Sequence, residues 1–134
     1  MAFELLFFKH RKDKISLQDI ITYFTKNKNF IIKPLDTHLY YFVYRNKDTK
    51  VYFSMSYNEG NELDTTKPFP EEYEFCYFNL VINYLRPSFY AREIMPIIED
   101  FCIKFNLFIY DLQDNSEEII IKQPSVEELI SSYN

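Results

Sequence analysis

The sequence predicts an α+β fold: a single mainly antiparallel sheet with two main helices on one face and a short C-terminal helix, with residues 1–134 forming one domain. Three observations predict it. Segments 17–24 and 90–105 carry apolar residues at helical spacing, and the runs between them alternate with period two. Residues 33–57 have hairpin spacing with no helical crossover, which argues against an all-parallel sheet.

The organising stretch is 74–112. In its strand, 75–85, Cys76, Phe78, Leu80, Ile82 and Tyr84 share one side. In the helix that follows, Tyr90, Ile94, Ile97, Ile98, Phe101 and Phe105 draw one stripe, with Glu93, Asp100 and Lys104 opposite. Ser88 is placed to cap the helix, and Pro96 predicts a kink near Met95 or a fresh helix start. Residues 107–112 follow as a strand.

The first strand, 3–9, sets Phe3, Leu5 and Phe7 on one face and Leu6 and Phe8 on the other, the pattern of a strand buried on both sides. The basic run Lys9, His10, Arg11, Lys12 and Lys14, broken by Asp13, is expected to be a solvated loop. Ser16 and Asp19 form a capping-box pattern before Leu17, Ile20, Ile21 and Phe24. A short strand, 30–33, stops at Pro34. Strands 38–45 and 50–57 form a hairpin around 46–49, in which Val51, Phe53, Met55 and Tyr57 alternate with Tyr52, Ser54 and Ser56. Residues 58–73 read as a long acidic loop. A last strand, 118–122, precedes a helix opened by a second capping-box pattern, Ser125 with Glu128, and carried by Val126, Leu129, Ile130 and Tyr133. Two helices on one face of such a sheet give a loosely ferredoxin-like layout.

Composition removes several functions. At 134 residues a chain buries roughly two-thirds of its extended surface, enough for a core without staples. The single glycine, Gly60, cannot build a phosphate-cradling or dinucleotide loop, which needs several. The two cysteines, Cys76 and Cys102, lack CxxC spacing and read as buried thiols in a reducing cytoplasm. No run approaches the roughly 20 residues of a membrane span, and the start of the chain does not read as a signal peptide. A net charge of −5 disfavours nucleic acid as a general partner. Aromatics reach 19% without Trp, in part a composition that A/T-rich genomes encode, so a tyrosine is not functional by its presence alone. No cofactor or metal is expected.

Phe89-Tyr90-Ala91-Arg92-Glu93, then Pro96, then 107–113, then Ser125-Val126-Glu127-Glu128-Leu129 resemble the C-terminal half of small uncharacterised bacterial proteins. Some of those are similar to immunity proteins of polymorphic toxin systems. Where that pattern ends its strand Asp-Pro-Gln, this chain has Asp111-Leu112-Gln113. The resemblance implies a protein-binding role and carries no catalytic residue.

The expected function is therefore a non-catalytic protein-binding module of immunity type. It would hold a basic partner, or a second copy of itself, through an aromatic sheet face and an acidic loop. The candidate interface is Tyr40, Tyr44, Tyr52, Tyr77, Asn79, Glu62, Asp64 and Glu72, with Leu39, Tyr41 and Val43 as the outward set if the 38–45 strand faces the other way. The alternative is a small-ligand protein or enzyme with a site near Asp111 and Gln113, whose structural reading is that they bond backbone groups where a strand turns. His10 and His38 sit in no nucleophile or metal motif.

Overall fold

Strand β1 (Ala2–His10) lies inside the sheet, as its two apolar faces require. The structure, a computed structural model, describes residues 2–60, 69–83, 87–113 and 120–133. The other elements are α1 (Leu17–Thr25), β2 (Phe30–Pro34), β3 (Leu39–Arg45), β4 (Tyr52–Asn58), β5 (Tyr73–Asn83), α2 (Phe89–Phe105), β6 (Leu107–Asp111) and α3 (Val126–Tyr133). Six strands pair antiparallel in the order β2-β3-β4-β5-β1-β6. α1 carries the chain from β1 to the far edge, and the meander β2 to β5 returns it. β5 and β6 both run antiparallel to β1 and so parallel to each other, which makes β5-α2-β6 a β-α-β unit split by β1. The ferredoxin-like likeness is only loose, because a four-strand meander stands where that layout has a hairpin.

All three helices pack on one face. Phe3, Leu5 and Phe7 of β1, Phe42 and Tyr44 of β3, Phe53 and Met55 of β4 and Cys76, Phe78, Leu80 and Ile82 of β5 form one buried cluster with the helices. α1 contributes Ile20 and Phe24; α2 contributes Tyr90, Ala91, Ile94, Met95, Ile98, Phe101 and Cys102; α3 contributes Leu129 and Tyr133. The α2 stripe is broader than its spacing predicts: Ala91, Met95 and Cys102 are buried while Ile97 and Phe105 sit at its margin.

Four expectations are corrected. α2 is one helix with Pro96 inside it, which overturns the fresh helix start but not the kink, and Pro96 is exposed, so the carbonyl it leaves unbonded lies on the solvent side. Ser88 makes no side-chain cap; it is helical itself, and the first turn rests on Tyr90 N–H donating to the Pro87 carbonyl (3.0 Å). The last strand is reduced, among the described residues, to one bridge in which Ile109 and Lys122 exchange backbone hydrogen bonds of 2.7 and 3.1 Å; residues 118 and 119 lie outside the described residues. α3 is not opened by a reciprocal capping box: Glu99 of α2 accepts from Val126 N–H (3.0 Å), and Glu128 pairs with Lys122 instead. The Ser16 cap does form, accepting from Asp19 N–H at 3.3 Å. α2 ends on Asn106 at φ 53, its N–H returned to the Cys102 and Ile103 carbonyls.

The basic run is also more than a solvated loop. Arg11 donates to the Glu71 and Tyr73 carbonyls (2.7 and 3.2 Å), and its own N–H bonds the Glu72 carbonyl. Lys9 and Arg11 both approach Glu74, at 3.6 and 3.5 Å. The run thereby fastens the chain entering β5, while Lys12 and Lys14 remain exposed.

Candidate functional site

With every helix on one face, the opposite face is where the sheet meets solvent, and it divides in two. On the β1–β6 half, Phe8, Phe75, Tyr110 and Ile121 form a second buried cluster with Leu6, Phe69, Tyr73 and Phe108 around it. Phe69 lies 5.3 Å from Phe8 and 5.7 Å from Tyr110 between ring centroids, so the chain roofs this half itself. The β2–β5 half carries exposed Ile31 (58%), Tyr41 (37%), Tyr52 (38%), Tyr77 (37%) and Val81 (40%). Register sets Ile31, Val43, Ser54 and Val81 in one row, and Tyr41, Ser56 and Asn79 in the next. The small serines of β4 therefore lie between taller neighbours on β3 and β5, leaving a shallow trough along β4.

Tyr77 is held at φ 68 where β1 and β5 slip register between Leu6 and Phe8. A non-glycine residue in the left-handed region carries strain, which the surrounding bulge must hold. Cys76 anchors the bulge by donating to the Phe7 carbonyl (3.1 Å). Serving the same strip, Asn79 accepts from the Ser56 hydroxyl.

The structure sorts the expected interface residues. Tyr52 and Asn79 are on the bare face, and Tyr77 is exposed at the bulge, its ring 5.6 Å from Phe75 and 6.1 Å from Tyr57. Tyr40 and Tyr44 are not: both point to the helices, Tyr44 buried with its hydroxyl donating to Glu93 at 2.5 Å and Tyr40 half-buried 6.3 Å from Tyr57. Burial, and after it the bond to Glu93, holds the Tyr44 phenol above its usual pKa. The alternate set of β3 faces outward, so Tyr41 takes the expected place. Ile31 was missed, although its alternation with the inward Phe30 marked it. Glu72 is exposed, with its carbonyl held by Arg11; Glu62 and Asp64 lie outside the described residues.

The two ends of the trough differ in charge. At the far end of β4 stands Glu59, while Glu71 and Glu72 lie just before β5, where Arg11 holds their carbonyls. Glu59 accepts from Tyr57 (2.6 Å) and meets His38 Nδ1 at 2.5 Å, and those two bonds hold its carboxyl below the usual range. At the β3–β4 turn stand Arg45, Lys47 and Lys50, where Arg45 lies 5.3 Å over the Tyr52 ring.

Asp111 and Gln113 act as a clamp. Gln113 accepts from Glu4 N–H (2.7 Å) and donates to the Glu4 carbonyl (3.1 Å), completing the ladder one step past β6. Asp111 accepts from the Gln113 N–H and side chain through one oxygen and from Ser132 (2.5 Å) through the other. Both oxygens are thus committed to structure, beside a cleft of about 480 Å³ that Lys122 and Glu128 border. No protein-family model, curated protein or solved structure matches the chain.

Proposed function

We propose that this chain is a non-catalytic protein-binding module whose trough along β4, walled by Tyr41, Tyr52 and Tyr77, receives a basic protein partner. One observation carries the reading: Ile31, Tyr41, Tyr52, Tyr77 and Val81 are exposed on the half of the sheet that no described residue roofs. Rigid aromatic rings beside small polar groups are what interface cores are made from, and water gains by losing such a strip. Glu59 at the end of β4 and the exposed Glu71 and Glu72 before β5, on a chain of net charge −5, would steer a basic partner. The resemblance to immunity-type proteins of polymorphic toxin systems supports a toxin as that partner.

The test replaces Tyr41 and Tyr77 by Ser. Each lost anchor should weaken association about 30-fold, near 2 kcal/mol, with both variants still folded. Glu72→Lys should slow association at low salt and lose its effect at high salt. A partner held by the wild type and lost by both variants supports the reading, and a toxin encoded beside the gene is the first protein to mix with it. Self-association lost in the same variants would assign the trough to a second copy. A monomer that captures nothing, or Tyr variants that unfold, would overturn it.

A further inference from the structure

The β3–β4 turn concentrates positive charge on an acidic chain. Arg45, Lys47 and Lys50 face Asp48 within the turn and Glu93 beside it, which Asn46 bonds, so the turn keeps one positive charge in excess where the whole chain carries −5. None of the three cations forms an ion pair among the described residues. With Asn46 and Tyr52 they line an open depression of about 440 Å³.

The turn is built rigidly. Asn46 Oδ1 accepts from Asp48 and Thr49 N–H (2.9 and 3.3 Å), and the Asn46 side-chain amide donates to Glu93 (3.0 Å). Lys50 donates its N–H to the Asn46 carbonyl (2.9 Å), and its own carbonyl accepts from the Tyr90 hydroxyl (2.9 Å). Its φ is 66, a conformation glycine takes without strain and lysine does not. The backbone there favours glycine; the charge is what lysine adds. Arg45 and Tyr52 are register partners, and a guanidinium lying over a ring keeps its N–H edge free for an anion.

We propose that this turn binds a small polyphosphate anion, free or as the phosphate chain of a nucleotide. Three cations carried by one rigid turn suit a ligand bearing several negative charges within a few ångströms better than a single carboxylate. The site adjoins the basic end of the trough and shares Tyr52 with it, so Lys47 and Lys50, which wall no part of the trough, are the residues that test it separately.

The experiment titrates the full chain with inorganic triphosphate, ATP, adenosine and a single-stranded oligonucleotide, reading amide shifts at 46–52 and heat of binding. Triphosphate should bind and adenosine should not. ATP binding as triphosphate does places recognition in the phosphates, and tighter ATP adds the ring. Lys47→Gln and Lys50→Gln should each weaken triphosphate roughly fivefold, the effect of one exposed charge, while Tyr77→Ser leaves it unchanged. Lys50→Gly should weaken binding yet raise the thermal midpoint, separating site from fold. Unshifted amides at 46–52, equal binding by wild type and the Lys47→Gln and Lys50→Gln variants, or far tighter binding of the oligonucleotide would overturn the proposal.

Discussion

Phe101→Ala tests the core where it is densest. Phe101 is fully buried on α2, and the rings of Phe7, Tyr23, Phe24, Phe78 and Phe105 surround it at centroid distances from 4.9 to 6.1 Å. Truncating a core phenylalanine costs about 3–5 kcal/mol, through lost transfer energy and the cavity left behind. Each ring pair contributes ~0.5–1.5 kcal/mol beyond burial, but the five share one ring and do not add. The neighbours come from β1, β5, α1 and α2 itself, so no single element can move to refill the space. The expected loss is therefore at the upper end, about 4–5 kcal/mol. At an unfolding entropy of roughly 2.1 cal/mol/K per residue, 134 residues turn that into a fall of about 14–18 °C in Tm. Urea melts with an unchanged slope would measure it, with half-buried Phe105→Ala costing about half as much. A loss below ~1.5 kcal/mol, or Phe105 costing more than Phe101, would show that α2 does not face the sheet as described.

The thiols and the β6 clamp give two further outcomes. Cys76 and Cys102 are buried and unbridged, and burial pushes Cys76 up to about 12 and Cys102 well above its ordinary 9.0. Neither should react with a thiol reagent at pH 8 before unfolding. Between pH 9 and 12 the unfolded chain releases these protons while the folded chain keeps them, so stability should fall with rising pH by about 1.4 kcal/mol per unit for each thiol. Cys76→Ala should remove its share of that slope and leave that of Cys102; a wild-type stability level across the window would refute the assignment. Gln113→Ala should cost about 1–3 kcal/mol in urea melts, because it leaves the Glu4 N–H unpaired in a half-buried place while the Glu4 carbonyl keeps the Leu112 N–H, and Ser132→Ala should cost less.

Much of this was legible along the chain. Phe3, Leu5 and Phe7 with Leu6 and Phe8 placed β1 inside a sheet; Val51, Phe53 and Met55 against Ser54 and Ser56 oriented β4; the α2 stripe named its buried face. Each is a periodicity, set by backbone geometry that a residue shares with its near neighbours. The 38–45 strand could not be oriented that way. Phe42 and Tyr44 alternate with Tyr41 and Val43, both sets apolar, so only pairing with β4, where Tyr44 meets Phe53 and Tyr41 meets Ser56, decides which side is buried.

Contacts between distant segments carried no local mark. Phe69 and Ile121 roof one half of the outer face, Arg11 fastens the entry to β5, and Glu99 caps α3. The periodic pattern determined that the sheet has a helix-covered side and an aromatic one. The tertiary structure alone decided which aromatics that side shows, because covering a face depends on where remote parts of the chain return, and loop closure leaves no period in the sequence.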